Sequence, residues 1–457
     1  MQEVDIAQVT RRSIKGVFAL TSRTFFVQVV GLISNLLLTI FLSPSVFGVF
    51  FVVSSAIAFL SYFSDIGLAA ALIQKKESPT REELRTTFTI QQILVIFICA
   101  AALLLSGAIA SFYRLEENGL LLFRALIVAF FLSSFKTIPS IILERELRFE
   151  KLVIPQIVET LVFNISAVAL AMAGFGILSF TVAVLLRGIS GVITIYIISP
   201  WRVGFAFSKP AARKLLSFGI PFQANSFLAL LKDDLLIVYI GKVLPLAQVG
   251  YIGFAQKWAL MPLRLVMDNV IRITFPSFSR LQHERETLAK GLEKSIFASC
   301  FIIFPSLVGL VVMSPYFIQL IPKYIKWEPA LFSLWFFSAN AALSSISTPL
   351  TNALNSIGKI KITLYLMIFW TVGTWVITPL AINAYGFNGV SVSSAIVATS
   401  VVGVVYLVKR HINFSILKIV GYPALSSGPK PNNRRFQNGQ SKLAKINDQA
   451  FCCYFCL

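Results

Sequence analysis

Charged residues are scarce in this sequence. Only 13% of its 457 residues are Asp, Glu, Lys or Arg, whereas soluble domains carry about 25%. Hydrophobic residues make up 56% of the chain, and its mean hydropathy is +0.79. This composition excludes an ordinary soluble domain and indicates an all-α polytopic membrane protein.

Cysteine and histidine are also rare, with five and two residues. Cys99 and Cys300 lie within apolar runs, where they are packing residues. At the C-terminus, Tyr454 stands where a prenylation box would need cysteine. His283 and His411 lie in loops without metal-ligand spacing. We therefore expect no metal site, no redox chemistry and no cofactor other than a coupling ion.

Two features of membrane enzymes are missing as well. The chain contains no G-x-x-x-x-G-K-[ST] loop, which excludes ATP hydrolysis by a P-loop. The loops predicted on the outer side are short, whereas membrane glycosyltransferases and polymerases usually place catalytic groups in large external loops. We therefore expect that the protein is not an enzyme.

Long apolar runs dominate what is present. About twelve of them approach the roughly 20 residues that a spanning helix needs. The first run is too long for a removable signal peptide and lacks a cleavage site. The predicted spans are 16–41, 46–73, 87–110, 120–143, 152–173, 176–199, 217–241, 246–277, 291–313, 329–355, 360–382 and 387–408.

The net charge of +20 follows the topology. Lys and Arg concentrate in every second connection, which is the positive-inside pattern. They are Arg11, Arg12 and Lys15 before the first span, Lys75, Lys76, Arg81 and Arg85 after the second, Arg145, Arg148 and Lys151 after the fourth, Arg202, Lys209, Arg213 and Lys214 after the sixth, Arg280, Arg285, Lys290 and Lys294 after the eighth, and Lys359 and Lys361 after the tenth. This pattern predicts that both termini lie in the cytoplasm, and nucleic acid is not an expected partner.

The spans divide into two sets of six. We expect an N-terminal lobe over 1–200 and a C-terminal lobe over 217–410. Between them, 201–216 is basic on one side and apolar on the other, which predicts a cytoplasmic linker along the inner membrane surface. The polar tail 411–457 lacks a periodic apolar face and is expected to be disordered.

A short internal echo supports duplication of the two halves. FLSPSVFGVF at Phe41–Phe50 is echoed by KVLPLAQVGYIGF at Lys242–Phe254. Each segment is a turn between the first two helices of its half. Secondary transporters commonly consist of two such repeats, with the substrate site at their interface.

Several motifs in consistent order over residues 10–410 make the chain similar to a known family. They are LSPSVFG, FSDIGLAAALIQKK at 63–76, LERELRFEKL at 143–152 followed by GFGILSF, SPWRVGF, LLSFGIPFQANSFL at 215–228 and FPSFSRLQ at 275–282. The sequence resembles the polysaccharide-exporter branch of the MOP flippases. The C-terminus departs from the family, because many members continue with one or two further helices.

The resemblance implies two six-helix bundles that form a V around a central cavity. It also implies a flippase that moves undecaprenyl-pyrophosphate-linked oligosaccharide repeat units from the cytoplasmic to the periplasmic leaflet by alternating access. The implied partners are this substrate, membrane lipids, and the polymerase and chain-length proteins of the same surface-polysaccharide pathway. We expect a monomer.

Cations inside the apolar runs are the candidate substrate ligands. Arg187 lies near the centre of its run, where a cation costs roughly 2.5–3.5 kcal/mol and usually faces a cavity or a partner. In the eighth span, Lys257, Arg264, Asp268 and Arg272 fall within about 80° of one another on the helix. Arginine suits phosphate because its planar group donates paired hydrogen bonds. The predicted substrate-binding residues are Arg23, Lys136, Arg187, Lys257, Arg264 and Arg272.

Intramembrane acids have two interpretations. They could couple transport to Na⁺ or H⁺, or they could form ion pairs that close a cytoplasmic gate. Asp268 is four residues from both Arg264 and Arg272, so part of this stripe could neutralise itself. Asp65 could pair with Arg23, and either Asp233 or Asp234 could pair with a cation on the eighth helix. The predicted coupling or gating residues are Asp65, Glu159, Asp233, Asp234 and Asp268.

Two other functions predict sequence features that differ from those of this chain. A multidrug or cation antiporter of the same superfamily should have acids dominating its cavity, whereas bases dominate here. A membrane glycosyltransferase or polymerase should have a long external loop with catalytic acids, and none is present. A flippase for an anionic lipid-linked oligosaccharide is therefore the favoured function.

Overall fold

The structure, a computed structural model, describes residues 6–75 and 77–415. These residues form seventeen α-helices and two 3₁₀ segments, Pro322–Trp327 and Gly386–Asn388, and contain no strand. The prediction of an all-α protein is confirmed. The helices are α1 (Ile6–Phe41), α2 (Pro44–Ser61), α3 (Leu68–Gln74), α4 (Arg81–Leu104), α5 (Ser106–Tyr113), α6 (Glu117–Ser134), α7 (Thr137–Arg145), α8 (Phe149–Met172), α9 (Leu178–Ile198), α10 (Lys209–Lys232), α11 (Asp234–Val243), α12 (Leu246–Arg280), α13 (Arg285–Leu320), α14 (Ala330–Ser356), α15 (Ile360–Tyr385), α16 (Gly389–Ala398) and α17 (Val401–Lys409).

Each predicted span coincides with one helix or with two helices divided by a short break. By length and composition, nine stretches of the described chain could cross a membrane. α12 is not among them, because polar residues along its length lower its hydropathy. The prediction of a multi-pass membrane protein is confirmed, and the arrangement of twelve spans as a V stays a prediction.

Two of the breaks between helices have identifiable structural causes. Between α2 and α3, Ile66 and Gly67 have φ angles of 47° and 74°, so the chain turns through the left-handed region. Between α10 and α11, the chain breaks at Asp233. The indole Nε1 of Trp375 donates a hydrogen bond to the carbonyl of Leu231 at 3.0 Å, which satisfies an acceptor that a continuous helix would have used.

Each half of the chain has its own hydrophobic core. In the first half, Leu38, Phe123 and Phe180 belong to one buried cluster, and in the second half Leu292 and Leu350 belong to another. A third cluster joins the halves, because it combines residues of α2 and α5 with residues of α11, α12 and α14. The halves are therefore separately packed bodies with a substantial apolar contact between them.

The two echo segments pack directly against each other. A Cβ added at Gly48 of α2 would collide with the carbonyl oxygen of Leu246, and one added at Gly250 of α12 would collide with that of Pro44. Both glycines lie near the starts of their helices. The two echo segments therefore form a close backbone contact between the two halves. The charge pattern predicts that this contact lies on the outer side of the membrane.

At the opposite end, the turn before α3 contacts α10. A Cβ added at Gly67 would collide with the carbonyl of Gly219. The Tyr62 hydroxyl donates to the carbonyl of Gln223, and the Gln223 amide donates back to the carbonyl of Tyr62 at 2.8 Å. The halves are thus in contact at both ends of the space between them.

The predicted linker differs in detail from the structure. Residues 200–208 have no regular secondary structure, and α10 begins at Lys209, so the second half of the 201–216 segment is helical. The backbone amides of Ala206 and Ser208 donate to the hydroxyls of Thr89 and Thr86, each at 3.1 Å. The linker is therefore docked on α4. The lobe boundaries stay a prediction, and of the tail 411–457 all but 411–415 lies outside the described residues.

Candidate functional site

A cavity of about 790 Å³ lies between the two halves. From the first half, α1, α2, α8 and α9 contribute to its wall, and from the second half α10 to α12 and α14 to α17. The α2–α12 contact lies at one end and the α3–α10 contact at the other. The structure therefore contains a chamber at the interface where the sequence predicts the substrate site.

Two of the predicted cations, Lys257 and Arg264, line this cavity. They lie on the same face of α12 and are exposed to the chamber. The ammonium Nζ of Lys257 donates a hydrogen bond to Oδ1 of Asn35 on α1 at 2.8 Å. Arg264 and Asp268 are not within ion-pair distance of each other in the described chain. The Arg264 charge is therefore not neutralised by the acid one turn away.

A second pocket, of about 480 Å³, lies between α1 and α12. It brings together Arg23 from the first half and Asp268 and Arg272 from the second. The Nε atom of Arg23 is buried and has no hydrogen-bond partner among the described residues. Two cations and one acid thus face each other across the halves, at the end of α12 that the charge pattern places in the cytoplasm.

Lys136, Glu159 and Arg187 form an ion cluster within the first half. Glu159 accepts a hydrogen bond from Lys136 Nζ at 2.6 Å, and its other oxygen lies 3.6 Å from Nε of Arg187. A Cβ added at Gly191 would collide with Glu159, so glycine at this position leaves room for the carboxylate. The Arg187 side chain is 54% exposed, and its guanidinium lies 5.9 Å from the ring centre of Phe163.

None of these three charged residues lines the central cavity. Phe163 does line it, so Arg187 lies next to a residue of the cavity wall but is not itself part of that wall. In the sequence Glu159 is an isolated acid in an apolar run, whereas the fold surrounds it with two cations. The reason is tertiary packing of α7, α8 and α9, which no local spacing reveals. The coupling or gating role of Glu159 stays a prediction.

Two predicted acids of the second half, Asp233 and Asp234, lie at the α10–α11 break. Asp233 and Asp234 both line the cavity, and Asp233 is 4.0 Å from the ammonium of Lys232. The Asp234 carboxylate has no hydrogen bond or ion pair in the part of the chain that the structure describes. One interpretation of the sequence paired one of these acids with a cation on the eighth span. In the described chain, neither acid forms an ion pair with Lys257 or Arg264.

Asp65 lies elsewhere. Both of its oxygens accept the backbone N–H of Ala69, at 3.1 and 3.2 Å, so it satisfies a free donor in the first turn of α3. Arg23 lies in the pocket with Asp268 instead. The alternative in which Asp65 pairs with Arg23 therefore does not describe this structure.

Sequence reasoning missed a polar wall of the cavity on α14. Asn340, Ser344, Ser347, Thr348 and Thr351 all line the chamber. Their spacing of +4, +3, +1 and +3 places them on one face of a helix, and this periodicity was the available signal. Small polar side chains lower the hydropathy of a span less than charged ones do, so a search for charged residues alone does not find them.

In the central cavity, Lys257 and Arg264 form no ion pair with a carboxylate within the described chain. Within a membrane, these cationic side chains can bind an anion because their N–H groups replace the water molecules that the anion loses. Guanidinium groups bind most strongly, since they donate paired hydrogen bonds. No cluster of His, Cys, Asp or Glu that could hold a metal occurs within residues 6–75 and 77–415. The arrangement fits binding and release of an anionic solute.

Comparisons with known proteins give a consistent assignment. A family profile described as "Polysaccharide biosynthesis protein" matches residues 37–330, which is more than half of the chain. The chain is 25% identical over 350 residues to the "Lipopolysaccharide biosynthesis protein WzxC" of Escherichia coli K12, covering 75% of this chain and 69% of that protein.

The fold is similar to two solved membrane transporters. The "Lipid II flippase MurJ, inward closed conformation" superposes with a TM-score of 0.72 at 14% identity, covering 95% of this chain and 98% of that one. An inward-facing multidrug resistance MATE family transporter of the MOP superfamily superposes with a TM-score of 0.66 at 16% identity, covering 84% and 95%. At these identities the likeness shows a shared fold.

Proposed function

Because this chain belongs to the polysaccharide biosynthesis protein family, we propose that it is a flippase for lipid-linked oligosaccharides. The substrate is an undecaprenyl-pyrophosphate-linked repeat unit, which moves from the cytoplasmic to the periplasmic leaflet. The protein acts in the bacterial inner membrane with both termini in the cytoplasm, and it catalyses no covalent step. The polymerase and chain-length proteins of the same pathway are its proposed partners.

The observation that carries this proposal is the row of cations along α12. Arg272 lies in the pocket with Arg23, whereas Arg264 and Lys257 line the central chamber. At about 1.5 Å per residue, Arg272 to Arg264 spans about 12 Å and Arg264 to Lys257 about 10 Å. A pyrophosphate could therefore pass from the cytoplasmic pocket to the chamber without losing cationic contact.

The cavity charges argue against the antiporter alternative. Lys232, Lys257 and Arg264 line the chamber beside Asp233 and Asp234, so acids do not dominate it. The aspartates instead suit a coupling role. Asp234 is the proposed site at which Na⁺ or H⁺ binds, because it lines the cavity without a partner among the described residues.

Complementation tests the proposed function. The chain is expressed in a strain whose own repeat-unit flippase is deleted, and surface polysaccharide is measured together with membrane abundance. The combined Arg23→Gln and Arg264→Gln variant should restore little or no polysaccharide at normal abundance. Arg124→Gln is the matched control, because Arg124 contacts Ser106 and lines neither pocket. Full export by the double variant would refute the cationic route.

A further inference from the structure

The central cavity has two chemically different walls. The wall from the first half includes the half-buried rings of Phe50 and Phe163. The facing part of the second half includes the amide and hydroxyl side chains of α14, together with Thr374 and Thr378 of α15. Neither set contains a charged residue, so this part of the chamber differs from the cationic row on α12.

The aromatic wall is held in place by stacking on a third ring, Phe180, which also lines the cavity. Phe50 stacks on Phe180 with ring centres 4.2 Å apart and planes 17° apart, and Phe180 is only 2% exposed. Phe163 lies 6.2 Å from Phe50, with the planes inclined by 27°. Aromatic faces carry partial negative charge and attract partly positive edges. The C–H groups on one face of a pyranose ring carry partial positive charge in the same way, so this face can stack on an aromatic ring.

The opposite wall has unused hydrogen-bonding capacity. The Thr374 side chain is 9% exposed and lines the cavity, yet its hydroxyl has no partner among the described residues. Thr348 also lines the cavity and its hydroxyl is likewise without a partner there. Both hydroxyls line the cavity without a protein partner in the described chain, so each can exchange water for a sugar hydroxyl, and each such bond adds modestly to affinity.

The remaining hydroxyls of α14 are available as acceptors. Ser344 donates to Asn340 Oδ1 at 3.0 Å, and Thr351 donates to the carbonyl of Ser347 at 3.1 Å. A hydroxyl whose proton is committed in this way still has lone pairs for an incoming O–H donor. Sugar hydroxyls both donate and accept, so they match a wall that offers both.

From these observations we propose that the cavity contains a glycan subsite for an uncharged pyranose. The sugar stacks on Phe50 and Phe163 while its hydroxyls bond to Thr348, Thr374 and the α14 face. The rings, amides and hydroxyls that form this subsite carry no formal charge, which favours a neutral sugar. The inference rests on the proposed function and deepens it, because it makes the glycan as well as the pyrophosphate a determinant of binding.

Binding of two lipids to the purified full chain in nanodiscs tests the subsite. The probes are undecaprenyl pyrophosphate alone and the same lipid carrying a neutral trisaccharide. Wild-type protein should bind the glycosylated lipid at least about 10-fold more tightly, since each hydrogen bond contributes about 3- to 10-fold. Thr348→Val with Thr374→Val should reduce this ratio to below about 3-fold, and Phe163→Leu should also lower it. In each variant the affinity for undecaprenyl pyrophosphate should stay unchanged.

Thr371→Val is the matched control. Thr371 lies on α15 one turn before Trp375, bonds to the carbonyl of Met367 at 2.8 Å, and does not line the cavity. It should keep the wild-type ratio. Equal binding of both lipids by wild-type protein, or an unchanged ratio in the threonine and Phe163 variants, would overturn the subsite while the flippase function stood. Failure of wild-type protein to bind either lipid would overturn the proposed function itself.

Discussion

Lys257 donates a hydrogen bond from Nζ to Oδ1 of Asn35 at 2.8 Å, which joins α12 to α1 across the cavity. The two residues are 222 positions apart and belong to opposite halves. An alternating-access cycle that separates the halves at this level must break this bond. The contact therefore links the two lobes through a lysine that is also a proposed ligand of the substrate.

Strengthening this tie should slow transport. In Asn35→Asp, the Lys257 ammonium pairs with a carboxylate instead of a neutral amide oxygen, which makes the contact an ion pair and strengthens it. We expect a higher Tm in detergent and a several-fold loss of polysaccharide export. Adding Lys257→Gln to Asn35→Asp removes the cation, so the gain in Tm should disappear. If Asn35→Asp raised neither Tm nor the barrier to export, this bond would not limit opening.

The glycine contact between the echo segments should tolerate no side chain. Gly48→Ala places a methyl group against the carbonyl of Leu246, and overpacking of this kind typically costs about 1–3 kcal/mol. We expect a lower Tm and faster hydrogen exchange at the starts of α2 and α12. Gly309→Ala is the control, because nothing lies within 4 Å of the added Cβ. Equal Tm values for the two variants would contradict close packing at this contact.

The Lys136–Glu159 pair should behave as a structural ion pair. Removing one partner of such a buried pair costs about 3–5 kcal/mol, because it leaves the other charge unpaired. Glu159→Gln should therefore lower Tm and membrane abundance. Lys136→Met combined with Glu159→Gln should cost less than the sum of the two single changes. Strict additivity in this double-mutant cycle, read by thermal unfolding, would show that the two groups do not interact.

The 3₁₀ segment Pro322–Trp327 should help to close the outer end. Lys326 Nζ donates to the carbonyls of Ile40 and Leu42 at 2.9 and 2.7 Å, and Trp327 Nε1 donates to that of Thr39 at 2.9 Å. These carbonyls belong to the last turn of α1 and to the residue that follows it, where a cation also meets the favourable end of the helix dipole.

Lys326→Met should therefore expose the C-terminal turn of α1 to faster hydrogen exchange. Lys323→Met is the matched control in the same segment, because Lys323 only approaches the ring of Phe41, at 5.3 Å. Its effect on exchange of Thr39 to Leu42 should be much smaller. Indistinguishable exchange in the two variants would argue that Lys326 does not anchor α1.

The fold was largely predictable because the signal is local. Uninterrupted apolar runs identify spanning helices, and all twelve predicted spans coincide with helices. The breaks inside some spans were not predictable in this way. One depends on the positive φ angles of Ile66 and Gly67, and another on how Trp375 reaches the carbonyl of Leu231.

The site was predictable only where its residues share one helix. The spacing of Lys257 and Arg264 on α12 predicts a common face, and both line the cavity. The surroundings of Arg187 depend on Glu159, which is on another helix, so a sequence without tertiary contacts could not show their pairing. The neutral wall of α14 has no charge to mark it, and only helical periodicity could have indicated it.

Translocation in proteoliposomes tests the central claim most directly. A fluorescent undecaprenyl-pyrophosphate-linked oligosaccharide is incorporated, and its movement between leaflets is followed by quenching from outside. Loss of one charge-assisted contact should slow translocation by about 10- to 100-fold in Arg264→Gln, while Arg124→Gln should match the wild type. Wild-type rates in a variant with Arg23, Arg264 and Arg272 all changed to Gln would contradict the account.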